Sequence, residues 1–243
     1  MLGIRGRYHR RMDFIFPAPP TPSVAIAGRH ERFPVRRVFC VGRNYAKHAV
    51  EMGGDPDREP PFFFAKPADA VVDSGGAVAY PPETENLHHE AELVVAIGKP
   101  GRDVAVEAAL EYVWGYTAGN DLTRRDLQKA AKDARRPWAM AKGFDHSAPI
   151  GPLWAVADVG HPERGSIQCR VNDEVRQDAD LVEMIWKVPE IVSILSKTVA
   201  IAPGDLILTG TPAGVGPLEP GDTCVVSIEG LGEVRTTIGP PQE

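Results

Sequence analysis

Three acids have the types and the spacing to hold a metal ion. Glu90 and Glu92 stand two apart at the entrance to the apolar run AELVVAI. Side chains alternate along a strand, so both carboxylates share one face and Ala91 takes the other. Asp121 stands where a strand-like run, YTAGN, gives way to a polar, helix-like one. Three carboxylates with no thiolate suit a hard cation such as Mg2+, Mn2+ or Ca2+ rather than zinc. Spacing alone leaves another reading open: two solvated edge glutamates, with Asp121 as a helix cap. The neighbouring His88 and His89 point opposite ways in a strand, which makes them a poor shared clamp.

His48 and Glu51 stand three apart in a short helical stretch, hence on one face. A carboxylate can orient an imidazole and stabilise its protonated form, as a general base acting on water requires. The pair reads equally as an ordinary surface contact. Lys142 lies in AKGFD, where an ammonium could stabilise a developing oxyanion or enolate; it reads equally as a surface lysine. The loop TGTP at 209–212 follows an apolar strand, and its amides and hydroxyls can hold a carboxylate. It lacks the GK[ST] ending of a phosphate loop. The chain also lacks GxGxxG after a strand, and GxSxG, so neither nucleotide binding nor serine hydrolysis is indicated.

These residues need elements to position them. VRRVFCV at 35–41, PPFFFAK at 60–66, 77–80 and 91–97 read as strands, the 60–66 strand at a sheet edge because of its prolines. Residues 44–52 make about two helical turns, stopped by Gly53-Gly54. Residues 104–112 read as a helix, 113–118 as a strand and 121–133 as a helix. IQCRV, Asn172-Asp173 and Val175-Arg176 predict a hairpin with a tight turn. Residues 188–199 are amphipathic, with Pro189 suited to the first turn. Strands at 205–209, 223–228 and 232–238 follow between glycine turns.

The whole chain has 243 residues, 24 of them glycine and 23 proline with no collagen-like period, so many turns and a strand-rich fold are expected. A formal charge of −6 argues against a general nucleic-acid binder. No apolar run reaches the roughly 18 residues that span a bilayer, so no membrane partner is expected. Cys40, Cys169 and Cys224 are scattered and form no CxxC, which favours a reducing, cytoplasmic setting. Residues 1–11 carry four arginines and no acid, and prolines interrupt what would be a signal peptide's apolar region. Residues 1–11 read as a disordered extension, 12–34 as an extended arm, and 35–239 as one domain.

Seven stretches in order resemble the fumarylacetoacetate hydrolase family: VGRNYAKHAVEMG, PFFFAKPADAVV, NLHHEAELVVAIGK, GNDLTRRDLQ, RPWAMAKGFDHSAPIG, VNDEVRQ and GDLILTGTPAGVGP. The resemblance covers about 35–238. It implies an α+β, strand-rich fold, the family's mixed β-sandwich roll, assembled as a homodimer. It implies that Glu90, Glu92 and Asp121 hold Mg2+ or Mn2+, and that His48 and Glu51 activate water on a loop that closes over ligand. It places Gln128, Lys142 and Thr211 at substrate or oxyanion, with Arg43, Tyr45 and Lys66 in matching motifs as further substrate contacts. DLTRRDLQ followed by AKGFDHSAPIG is similar to the branch that cleaves fumarylpyruvate.

The implied reaction is metal-dependent hydrolysis of a carbon–carbon bond in an acylpyruvate, a small diketo acid, within aromatic-compound breakdown. Oxaloacetate decarboxylation, general acylpyruvate cleavage and dienedioate isomerisation could use the same site. A non-catalytic, metal-dependent binding protein is the reading from another class, and the presence of both His48 and Glu51 speaks against it.

Overall fold

The computed structural model describes residues 14–51 and 59–241. The expected extension at 1–11, the first two residues of the arm and the Gly53-Gly54 stop lie outside these.

Ala91–Ile97 is the central strand, and all seven of its residues are buried. Its alternation splits the interior in two. Leu93, Val95 and Ile97 join one apolar cluster with Ile167, Cys169 and Val226. Val94 and Ala96 face another, with Val38, Cys40, Leu206 and Leu208. This is the continuous apolar pattern of a strand covered on both faces.

Around it runs an eight-stranded mixed sheet in the order Phe62–Lys66, Arg37–Gly42, Asp205–Leu208, Ala91–Ile97, Val113–Asn120, Ala148–Ile150 and Val71–Asp73, with Trp154–Ala155 branching from Val113–Asn120. The Phe62–Lys66 strand is at the edge, as its prolines require. A five-stranded sheet runs Glu174–Asp180, Ser166–Val171, Thr223–Ile228, Gly232–Pro241 and Ala77–Tyr80. The first cluster fills the space between these sheets. The fold is strand-rich α+β, as expected. No described helix is long and apolar enough to cross a membrane.

Several expected elements take a different form. The arm folds back on itself: Ser23–Ala25 pairs antiparallel with Arg32–Pro34 and sets Val24 opposite Phe33 in the second cluster. Val106–Tyr112 is a 3-10 helix. The helix expected at 121–133 begins only at Arg125. Before it, Thr123–Arg124 pairs with Leu87–His89, and the Asp121 amide donates to Glu90 O at 2.9 Å. Strand pairing takes these residues away from the helix, so Asp121 is not a helix cap. The hairpin turn has positive φ at Asn172 (51°) and Asp173 (67°), residues that tolerate that region.

Candidate active site

The carboxylates of Glu90, Glu92 and Asp121 each offer an oxygen within 4.8 Å of the other two, and all three residues are buried. Pairing of Ala91–Ile97 with Val113–Asn120 sets Ala91 opposite Asn120. That register brings Asp121, one residue beyond Asn120, beside Glu90. Asn120 Oδ1 accepts the Glu90 amide at 3.0 Å and fixes the join.

Two lysines enter the cluster. Lys142, last residue of the helix Ala139–Lys142, sets its Nζ 2.6 Å from Glu90 Oε2 and 2.8 Å from Asp121 Oδ2. Lys66, at the end of the edge strand, sets its Nζ 2.7 Å from Asp121 Oδ1. Lys66 also donates to the carbonyls of Leu122 and Lys142. Asp121 Oδ1 is buried and has the Lys66 ammonium as its ion-pair partner.

The electrostatics follow from burial and charge. Burial alone would push Glu90 up, but Lys142 and Arg125 hold it well below the ordinary carboxylate range. Glu92 is pushed well up by burial and then by Asp121 and Glu90; its relief from Lys142 and from the Gly210 amide is smaller. Burial would lower Lys142, but Asp121 and Glu90 raise it. A buried carboxylate forced toward protonation by two neighbouring like charges is what a divalent cation would relieve. The donor set is all oxygen, so the residues fit such an ion.

His48 and Glu51 lie on the short helix Ala46–Glu51, and His48 Nδ1 is 3.0 Å from Glu51 Oε2. A carboxylate only accepts, so Nδ1 carries the proton and Nε2 is the basic nitrogen. Asn44 pins the base of this helix. Its Nδ2 donates to the carbonyls of Trp186 and Thr209, and its Oδ1 accepts the Trp186 amide at 2.7 Å. Lys47 points away from the pair and meets Glu183 at 3.0 Å.

One cavity gathers Arg43, His48, Glu90, Glu92, Gln128, Lys142 and Thr211. Glu51 joins it through His48, and Asp121 and Lys66 through the lysine–carboxylate cluster. Tyr45 is the exception. It is buried just before the Ala46–Glu51 helix, its isolated bridge pairs with Met184, and it lines a different cavity.

The structure adds residues that spacing did not single out. Arg125 Nη2 donates to Glu90 Oε1 at 2.6 Å, and its Nη1 to Gln128 Oε1 at 2.6 Å. With Oε1 taken, Gln128 keeps Nε2 as a donor for another molecule. The three-residue spacing of Arg125 and Gln128 in DLTRRDLQ is the signal that could have found this pair. Phe64 and Trp138 form an aromatic wall, with ring centroids 5.8 Å apart. The Gly210 amide donates to Glu92 Oε2 at 2.7 Å. Gly210 has φ +96°, and a Cβ there would lie 2.6 Å from Asn44 Cβ. Sequence offered no sign of that, since the conflict is with a residue far away in the chain.

The Fumarylacetoacetate (FAA) hydrolase C-terminal family matches residues 37–239. A crystal structure of fumarylpyruvate hydrolase from Pseudomonas aeruginosa, in complex with Mn2+ and pyruvate, is 51% identical, with a TM-score of 0.92; the match covers 94% of this chain and 100% of that one. The fumarylpyruvate hydrolase of Ralstonia sp is 43% identical over 188 residues, 77% of this chain and 97% of the relative. The mitochondrial oxaloacetate tautomerase FAHD1 of Arabidopsis thaliana is 41% identical over 199 residues, 82% of this chain and 89% of the relative. With a buried carboxylate trio, a polarised histidine and a match over nearly its whole folded length, this chain belongs to the fumarylacetoacetate hydrolase family.

Proposed function

We propose that the chain is a hydrolase that cleaves the carbon–carbon bond of an acylpyruvate, with fumarylpyruvate, giving fumarate and pyruvate, as the first candidate. The observation that carries this is the His48–Glu51 pair, which presents a basic nitrogen in the same cavity as Gln128, Lys142 and the three acids. Decarboxylation or tautomerisation needs no attacking water, whereas hydrolysis does. Glu90, Glu92 and Asp121 would hold Mg2+ or Mn2+, which supplies Lewis-acid polarisation of the keto acid's oxygens and a charge that draws an anion inward.

His48 takes a proton from water at Nε2 while Glu51 holds its Nδ1 proton. The oxygen adds to the distal carbonyl carbon. Gln128 Nε2 and the Lys142 ammonium donate to the oxyanion that forms. When the carbonyl re-forms, the carbon–carbon bond breaks and its electron pair leaves with the three-carbon fragment. Protonation of that carbon, by the proton taken at His48, completes pyruvate. Arg43, beside Phe62, and Thr211, at the cavity wall, would meet the carboxylates of a dianion.

Oxaloacetate is the second candidate, supported by the similarity to an oxaloacetate tautomerase. Assaying fumarylpyruvate, acetylpyruvate and oxaloacetate side by side with parent and His48→Ala protein decides between them. Hydrolysis that persists unchanged in His48→Ala would refute the water-activation reading. We further propose a homodimer, which light scattering of the purified chain tests.

A further inference from the structure

The motif VNDEVRQ ends in a residue that the proposed chemistry does not use. Glu174–Asp180 is the edge strand of its sheet, and Glu174, Val175, Arg176 and Asp178 are exposed. Gln177 in their midst is fully buried. A buried primary amide must place two donors and two acceptor lone pairs. Here all four are placed. Oε1 accepts the Ala91 amide at 3.0 Å and faces His89 Nδ1 at 2.9 Å. Nε2 donates to Thr211 Oγ1 at 2.7 Å and to the Pro212 carbonyl at 2.8 Å.

The direction of these bonds is fixed by chemistry. A backbone amide can only donate and a carbonyl can only accept, so Oε1 must face Ala91 and Nε2 must face Pro212. Thr211 Oγ therefore accepts from Gln177. Among the described residues no acceptor takes the Thr211 proton, and Thr211 lines the cavity. The hydroxyl proton is thus left to be donated into the site. Ala91 is the residue between Glu90 and Glu92, so one amide ties the acid-bearing strand to the loop opposite. Two residues on, the Gly214 amide lies 3.2 and 3.3 Å from the two Glu51 carboxylate oxygens. Gly214 has φ +95°, and a Cβ there would meet Arg176 O at 2.2 Å, so this loop is seated directly on the strand that carries Gln177.

We propose that Gln177 is a positioning residue: it orients the Thr211 hydroxyl as a donor to a bound carboxylate or oxyanion and seats the loop whose Gly214 amide steadies Glu51. This rests on the reading of the cavity as a keto-acid site and names the group that sets its polarity. Gln177→Glu tests it with little change of shape. A carboxylate at 177 would accept the Thr211 proton and set oxygen against the Pro212 carbonyl.

The probe is pyruvate binding to the Mn2+-loaded protein, read by calorimetry, with hydrogen exchange across 210–216 as a second readout. Expected is an affinity about tenfold or more weaker in Gln177→Glu, the size of one hydrogen bond to a charged group. Mn2+ alone should bind as it does to the parent. Exchange across 210–216 should rise in Gln177→Glu and stay at the parent level in Asp178→Asn, its exposed neighbour. Thr211→Val should weaken pyruvate similarly, and the two changes together should add little to either. Thr211→Ser keeps the hydroxyl and should keep the affinity, which tests the donor without altering Gln177. Parent-like pyruvate affinity in Gln177→Glu, additive losses, or unaltered exchange would overturn the proposal. Both readouts are independent of turnover, so inactivity on acylpyruvates would sink the hydrolase reading and leave this one to be decided on its own.

Discussion

Lys142 Nζ lies 2.6 Å from Glu90 Oε2, both groups buried, with Asp121 on the ammonium's other side. The lysine thus contacts oxygens that a metal would also claim. Its ammonium holds Glu90 ionised, so it keeps that acid ready as a ligand while competing for its lone pairs.

Lys142→Met removes that counter-charge and leaves buried acids facing one another. Breaking a buried pair from one side costs about 3–5 kcal/mol. The melting temperature without metal should fall, and saturating Mn2+ should restore a large part of it. A variant as stable as the parent without metal would show that the lysine is no counter-ion.

His48→Ala and Glu51→Gln remove the proposed base and the acid that meets its Nδ1. Hydrolysis of the best acylpyruvate should fall on the order of 10²–10⁴-fold for His48→Ala, and less for Glu51→Gln, while Mn2+ affinity stays put. Loss of Mn2+ binding in either variant would contradict this separation of roles.

Gly210→Ala places a side chain at positive φ and against Asn44. Backbone strain of this kind costs of order 1–3 kcal/mol. The shift should also withdraw the amide from Glu92, so Mn2+ should bind more weakly as well. Thermal denaturation together with metal titration checks both effects; weaker folding with unchanged metal affinity would refute the link.

Asn44→Asp sets a carboxylate against the carbonyls of Trp186 and Thr209 that the amide now serves. A buried polar group left unsatisfied costs about 1–3 kcal/mol. Stability should drop, and hydrogen exchange across 46–51 should rise above that of the parent. Unchanged exchange there would mean that Asn44 does not anchor the helix.

Much of this site was legible in sequence because its parts are periodic or local. Glu90 and Glu92 needed only the alternation of a strand, and His48 and Glu51 only the pitch of a helix. Asp121 was legible as an acid but not as to its element, because pairing of Thr123–Arg124 with Leu87–His89 is a long-range event that overrides local helix preference. Arg125 escaped notice for a related reason: its partner Glu90 is distant in the chain and is met only once the sheets form. Tyr45 shows what motif membership leaves open: it gives nearness in sequence, whereas the cavity this residue lines is a different one.

The Ala91–Ile97 strand divides the two apolar clusters and has Glu90 at its head and Glu92 within it. A segment packed on both faces is among the last to open when a protein fluctuates. The acids are therefore mounted on the least yielding part of the chain, and the helix bearing His48 is tethered to it from outside. On heating, the three acids should stay together until the fold itself gives way, so that the loss of the carboxylate cluster and the loss of the native state are a single event.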